Sequence, residues 1–165
     1  MTKCVFAGTF DPFTLGHADV VEKCLKIFDE VVVAVLINKD KKQLFSTEQR
    51  VEMIKSVYKD EKKVKTIAFD GLLAELLKIE DTNVSVRGVR DVTDYEYEKN
   101  MHFVNSDLNG NIITLFVPAE QKHLHISSSA VKTLLAFGNS VKDYVPHEVN
   151  EIIEKRLKEK KNGLV

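Results

Sequence analysis

Residues 5–17 read VFAGTFDPFTLGH. An apolar run at 5–7 breaks at Gly8, crosses Thr9-Phe10-Asp11-Pro12 and reaches Gly16-His17 just ahead of helical periodicity that starts at Ala18. That order predicts a strand, a tight loop and a helix start. In an open α/β sheet such a crossing collects phosphates, because the free N–H groups and dipole of a helix N-terminus face the carboxyl ends of the strands. Gly8 is expected to take backbone angles closed to other residues, and Gly16 to let a ligand approach the main chain. His17 is then placed to donate to a phosphoryl oxygen as charge builds on it. A plainer reading uses the same residues: Thr14 caps the helix, Gly16 eases the turn and His17 hydrogen-bonds the loop.

Beyond this stretch the chain alternates strand and helix. Val20, Val21, Cys24, Leu25 and Phe28 recur at helical spacing, predicting a helix over 18–28. The β-branched run at 31–37 is of the kind buried on both faces, and a right-handed crossover makes it a parallel neighbour of the first strand. Residues 38–45 form a polar loop at the carboxyl end of that strand, where Lys41 is either a solvated charge or a ligand contact. Ser46 and Gln49 have the spacing of a capping box for the next helix. A third strand is predicted over 64–69, then a helix from 72 to 79 in which Leu73 serves the core or walls a substrate arm.

The fourth strand, over 84–86, runs into Arg87-Gly88-Val89-Arg90. Two guanidinium forks at a strand's carboxyl end suit phosphate oxygens. A polar helix through about residue 108 follows, with Glu98 on a solvated face, and then a fifth strand over 112–117. The loop at 119–126 holds His123 and His125, a spacing that metal sites also use, though no further Cys or His cluster supports one. Ser127, Ser128 and Ser129 start the next helix: one serine explains a cap, and three suit a triphosphate as well. Gly138 ends that helix and Pro146 opens the last. The pattern predicts one α/β, Rossmann-like domain over 1–165, with a five-stranded parallel sheet and helices on both faces.

Composition narrows the function classes. The 165 residues carry 24 Lys and Arg against 25 Asp and Glu, a net charge of −1, so no broad nucleic-acid surface is expected. The longest apolar run, at 31–37, is far short of the ~20 residues that cross a bilayer. Thr2 and Lys3 lead straight into the first strand, so no secretory leader is expected. Cys4 and Cys24 fall in a predicted strand and helix, where buried reduced thiols suit a cytoplasmic protein.

GTFDPFTLGH, the lysine pair at 41–42, VRGVR at 86–90, DYEYE at 94–98 and HISSS at 125–129 together resemble the bacterial phosphopantetheine adenylyltransferase family of the nucleotidyltransferase superfamily. The resemblance spans essentially the whole chain. It implies transfer of the adenylyl group of ATP to 4'-phosphopantetheine, giving dephospho-coenzyme A and pyrophosphate. It implies catalytic roles for His17, Lys41 and Arg90, and acceptor contacts for Thr9, Lys41, Leu73 and Arg87. ATP contacts are implied for Thr9, Phe10, His17, Gly88, Val89, Arg90, Glu98, His123, Leu124, His125, Ile126, Ser127, Ser128 and Ser129. Mg²⁺ bridging the phosphates is expected from the chemistry, with no protein metal cage. A homohexamer and feedback inhibition by coenzyme A are further implications. Two departures stand out: many members have proline where this chain has Ala7, and an aromatic residue where it has His125. The alternatives are another acceptor, nicotinamide mononucleotide or glycerol phosphate, or a non-catalytic nucleotide-sensing module on the same fold.

Overall fold

The computed structural model describes residues 1–37, 42–108 and 110–161. Lys41 therefore lies outside the described residues. Five strands, β1 (Lys3–Gly8), β2 (Glu30–Leu36), β3 (Val64–Phe69), β4 (Val84–Val89) and β5 (Ile113–Pro118), form one parallel sheet in the order β3-β2-β1-β4-β5. The strand order reverses between β1 and β4. In such sheets the gap beyond the carboxyl ends at this switch point is the ligand crevice.

Helices α1 (Leu15–Leu25), α2 (Thr47–Val57), α5 (Ser128–Ala136) and α6 (His147–Lys161) cover one face. There Phe6, Val31, Val33, Val35 and Val86 meet Val21, Met53, Val131, Val149 and Ile153 in a buried core. On the other face Val5, Ala7, Val32 and Ala34 pack under α3 (Leu73–Ile79), beside α4 (Val92–Leu108). The β-branched run in β2 serves both faces at once, as a central parallel strand must.

Four local expectations change. Helix α1 starts at Leu15 rather than Ala18, because Thr14 takes the cap and brings His17 into the first turn. The left-handed residue of the first loop is Phe10 (φ 50°), not Gly8. Gly8 is instead short of side-chain room, since a Cβ there would lie 3.0 Å from the Phe10 ring. Strand β4 runs three residues further than expected and takes in Arg87 and Gly88, where a Cβ on Gly88 would lie 2.8 Å from Val20 of α1. Helix α4, expected to be polar, buries none of its residues and exposes Val92, Tyr97, Phe103, Val104 and Leu108. Cys4 and Cys24 are free and buried, as read from the sequence.

Candidate active site

At the head of α1 the Thr14 N–H donates to Nδ1 of His17 at 3.0 Å, and the His17 N–H donates back to Thr14 Oγ1 at 3.4 Å. Because Nδ1 accepts, the proton of the neutral ring sits on Nε2, leaving that N–H as an outward donor. Phe6, Phe10 and Phe13 surround the imidazole, with ring centroids 6.2, 5.0 and 5.5 Å away. Burial, followed by the charges of Arg90 and Arg87, pushes the His17 pKa down to about 4. The plain capping role is present, and the cap fixes the tautomer in which Nε2 carries the proton.

His17 opens into a cavity of about 320 Å³ at the switch point, walled by Gly8, Thr9 and Phe10 from the first loop, Arg87 to Arg90 from β4 and its exit, and Ile126 to Ser129 from the head of α5. Arg87 holds Glu98 through two hydrogen bonds of 2.6 Å and donates a third to the Ala7 carbonyl. A guanidinium has five N–H groups, and among the described residues two of them are unengaged. Arg90 makes a second fork with Asp94, at 2.8 and 3.1 Å, on the solvent side. Ser127 caps α5 by accepting from the Ala130 N–H at 3.0 Å, and Ser128 Oγ donates to the Pro12 carbonyl at 2.8 Å, tying α5 to the first loop.

A second cavity, of about 660 Å³, lies on the other side of Arg87, under α3 and α4. Leu36, Ile37, Leu72, Leu73, Tyr97 and Met101 line it, and it shares Gly8, Thr9, Arg87 and Glu98 with the first. Leu73 packs on the core, as one of the two readings had it, and also lines this space.

Of the residues singled out from sequence, Thr9, Phe10, His17, Arg87, Gly88, Val89, Arg90, Glu98, Ile126 and all three serines converge on the first cavity. His123, Leu124 and His125 do not line it: Leu124 is exposed, and His125 is exposed against the Tyr144 ring at 5.8 Å. The expected solvated face at Glu98 is corrected, since its carboxylate is committed to Arg87. Gly16 has ordinary room, a Cβ there meeting only atoms 3.7 Å or more away. The two histidines of H-x-H part company. His123 instead lies near Asp19 and Glu120, with candidate ligand atoms all within 4.8 Å of one another, while Lys23 and Lys122 pair with the two carboxylates.

Sequence reading missed the supports of the first loop. Buried Arg50 donates to the Thr9 carbonyl at 2.6 Å and to Thr47 Oγ1 at 2.9 Å. Asp11 accepts from the Leu44 and Phe45 N–H groups, each at 2.9 Å, and from Lys132 at 3.3 Å. The Arg90–Asp94 pair, by contrast, has the i,i+4 spacing that a sequence can show.

A cytidylyltransferase-like family profile matches residues 5–134. Phosphopantetheine adenylyltransferases from Clostridium beijerinckii and Clostridium kluyveri are 43% and 44% identical to this chain, over 95% and 98% of it and 99% of each relative. The chain belongs to the phosphopantetheine adenylyltransferase family. It is therefore a nucleotidyltransferase. A solved structure from Vibrio parahaemolyticus, assigned provisionally as a nicotinate-nucleotide adenylyltransferase, superposes with a TM-score of 0.69 over 94% of this chain and 93% of its own, at 19% identity, and speaks for the fold alone. Against the phosphopantetheine adenylyltransferase pattern, Ala7 sits buried at the end of β1 and lines the first cavity, whereas His125 stays outside it. Among the described residues no helix is long and apolar enough to cross a membrane.

Proposed function

We propose that this protein transfers the adenylyl group of ATP to 4'-phosphopantetheine, forming dephospho-coenzyme A and pyrophosphate by direct in-line attack without a covalent enzyme intermediate. The observation that carries this is the junction of two cavities at Thr9 and Arg87, next to the His17 donor. ATP occupies the first cavity and the acceptor arm the second, so the attacking phosphate and the α-phosphate meet where the walls are shared.

The chemistry follows from charge. The nucleophile is already an anionic phosphate, so no general base is needed, and repulsion between two anions is the obstacle. Thr9 and the two remaining N–H groups of Arg87 receive the acceptor phosphate. The Nε2–H of His17 donates to the α-phosphate. A neutral imidazole can do this throughout the physiological range, because its pKa lies near 4. Arg90, Ser128, Ser129 and the free N–H groups at the head of α5 take the β- and γ-phosphates. Lys41 is assigned to the attacking phosphate or its pantetheine arm, and His123, Leu124 and His125 to ATP, on the resemblance alone.

Mg²⁺ is proposed as the metal of the nucleotide. The carboxylates that line the first cavity, Asp94 and Glu98, are each forked to an arginine, so they build no protein cage for it. The donor set suits an ion held by phosphate oxygens, and no step here is routed through it. The exposed apolar face of α4 supports a homohexamer, inhibition by coenzyme A suits a product-like ligand spanning both cavities, and a cytoplasmic location suits the buried thiols. Pyrophosphate release from ATP tests the reading, measured with 4'-phosphopantetheine, nicotinamide mononucleotide and glycerol phosphate in parallel. Release is expected with the first; release with only one of the others overturns the acceptor. Binding of ATP without release in any arm favours the sensing module.

A further inference from the structure

Beneath the Arg87–Glu98 pair, the second cavity carries another polar level built by the same spacings. Side chains alternate along a strand, so Ser85 shares with Arg87 the face towards α4, ~6–7 Å lower along β4. Thr114 of β5 is the register partner of Ser85. His102 stands one helical turn after Glu98 on α4, and its Nδ1 meets Thr114 Oγ1 at 2.9 Å, with Ser106 Oγ 3.4 Å from Nε2. Ser85, His102 and Thr114 all line this cavity.

Ser85 is the odd member. It is 0% exposed, and among the described residues its Oγ has no hydrogen-bond partner. A buried hydroxyl in that state costs stability, and the fold gains nothing visible from it. The upper level is charged and suits a phosphate; this level is neutral and suits a group that both donates and accepts.

The geometry points to a specificity subsite in which Ser85, flanked by Thr114 and His102, hydrogen-bonds the hydroxyl of the acceptor's arm. This rests on the acceptor reading above. In 4'-phosphopantetheine a methylene and a quaternary carbon separate the phosphate ester from that hydroxyl, a span comparable to the step from Arg87 down to Ser85. His102, half-buried and hydrogen-bonded among the described residues to Thr114 and Ser106, turns aside to admit the arm, and Ser85 then finds its missing partner. An acceptor without the hydroxyl leaves Ser85 unpaired, which is how a polar site rejects an apolar analogue.

The test compares wild type with Ser85→Ala, using 4'-phosphopantetheine and its analogue with hydrogen in place of the arm hydroxyl. Pyrophosphate-release kinetics are run beside calorimetric binding of both acceptors. With the natural acceptor, Ser85→Ala is expected to raise the acceptor KM and Kd about tenfold while the KM for ATP does not follow. The analogue is expected to bind wild type about tenfold more weakly and to lose nothing further in the variant. The variant's melting temperature should equal or exceed that of wild type, since an unpaired hydroxyl has gone. Acceptor affinity within twofold of wild type overturns the subsite, as does an equal loss for both acceptors, which marks packing alone. A wild-type protein that is inert towards 4'-phosphopantetheine but active with another acceptor removes the acceptor reading itself, and the subsite with it.

Discussion

Helices α1 and α4 flank the same switch point and are built in opposite ways. Of its eleven residues α1 buries five, Ala18, Asp19, Val20, Val21 and Cys24, whereas α4 buries none of seventeen. The first is seated in the core and carries His17 within a ring of phenylalanines. The second touches the sheet through Glu98 on Arg87, His102 on Thr114 and Tyr95 on Phe116. Precision therefore resides where burial over-determines a side chain, and α4 is left free to wall a large cavity and present an apolar face outward. A catalytic donor needs the first kind of seat.

His17→Ala strikes the rigid side and should have the largest effect, a fall in kcat of about 10²-fold or more, read by pyrophosphate release at saturating substrates. A loss under fivefold would mean that Nε2–H is not aimed at the reacting phosphate. The same seat has a pH consequence. A folded pKa held below the unfolded value means that the unfolded chain binds the extra proton first. The His17 contribution to stability is then complete above about pH 6.5 and drains away as pH falls through about 4. Imidazole NMR of the ligand-free protein should give a midpoint near 4, and a value near 6.5 would break the contrast between the two helices.

Arg87→Lys tests the bridge between them. Losing the fork should weaken acceptor binding by ~1.5–3 kcal/mol, or roughly ten- to over a hundredfold in KM, with a smaller change for ATP. Gly88→Ala sharpens the contrast on stability alone, because its methyl would meet Val20 of α1 at 2.8 Å. Overpacking there should cost ~1–3 kcal/mol, visible in a thermal melt, while an equal insertion on the outer face of α4 should cost little. Asp94→Asn is the smallest: it breaks a partly exposed ion pair with Arg90, worth at most ~1 kcal/mol, and an unchanged melt is expected.

Much of this was legible in the chain because local rules and global fold agree. The unbroken apolar run of β2, the Ser46–Gln49 capping box and the third strand stand where periodicity and capping chemistry put them. Glu98 was misjudged because a charge on a mixed helix looks solvated until its partner on a strand is known. The hold of Arg50 on the Thr9 carbonyl, and of Asp11 on the Leu44 and Phe45 N–H groups, was invisible, since these main-chain partners lie 41, 33 and 34 residues away and no sequence pattern marks them.

The sequence by itself determined the alternation of elements, the strand–loop–helix turn at 8–17 and the serine-headed helix, because each depends on residues adjacent in the chain. Only the tertiary structure decided that Arg87 is shared by two cavities, and that Ser85 is buried with its Oγ unpaired among the described residues. Those facts depend on distances between β1, β4, β5 and α4, and such distances arise only when the sheet closes its register and buries what faces inward.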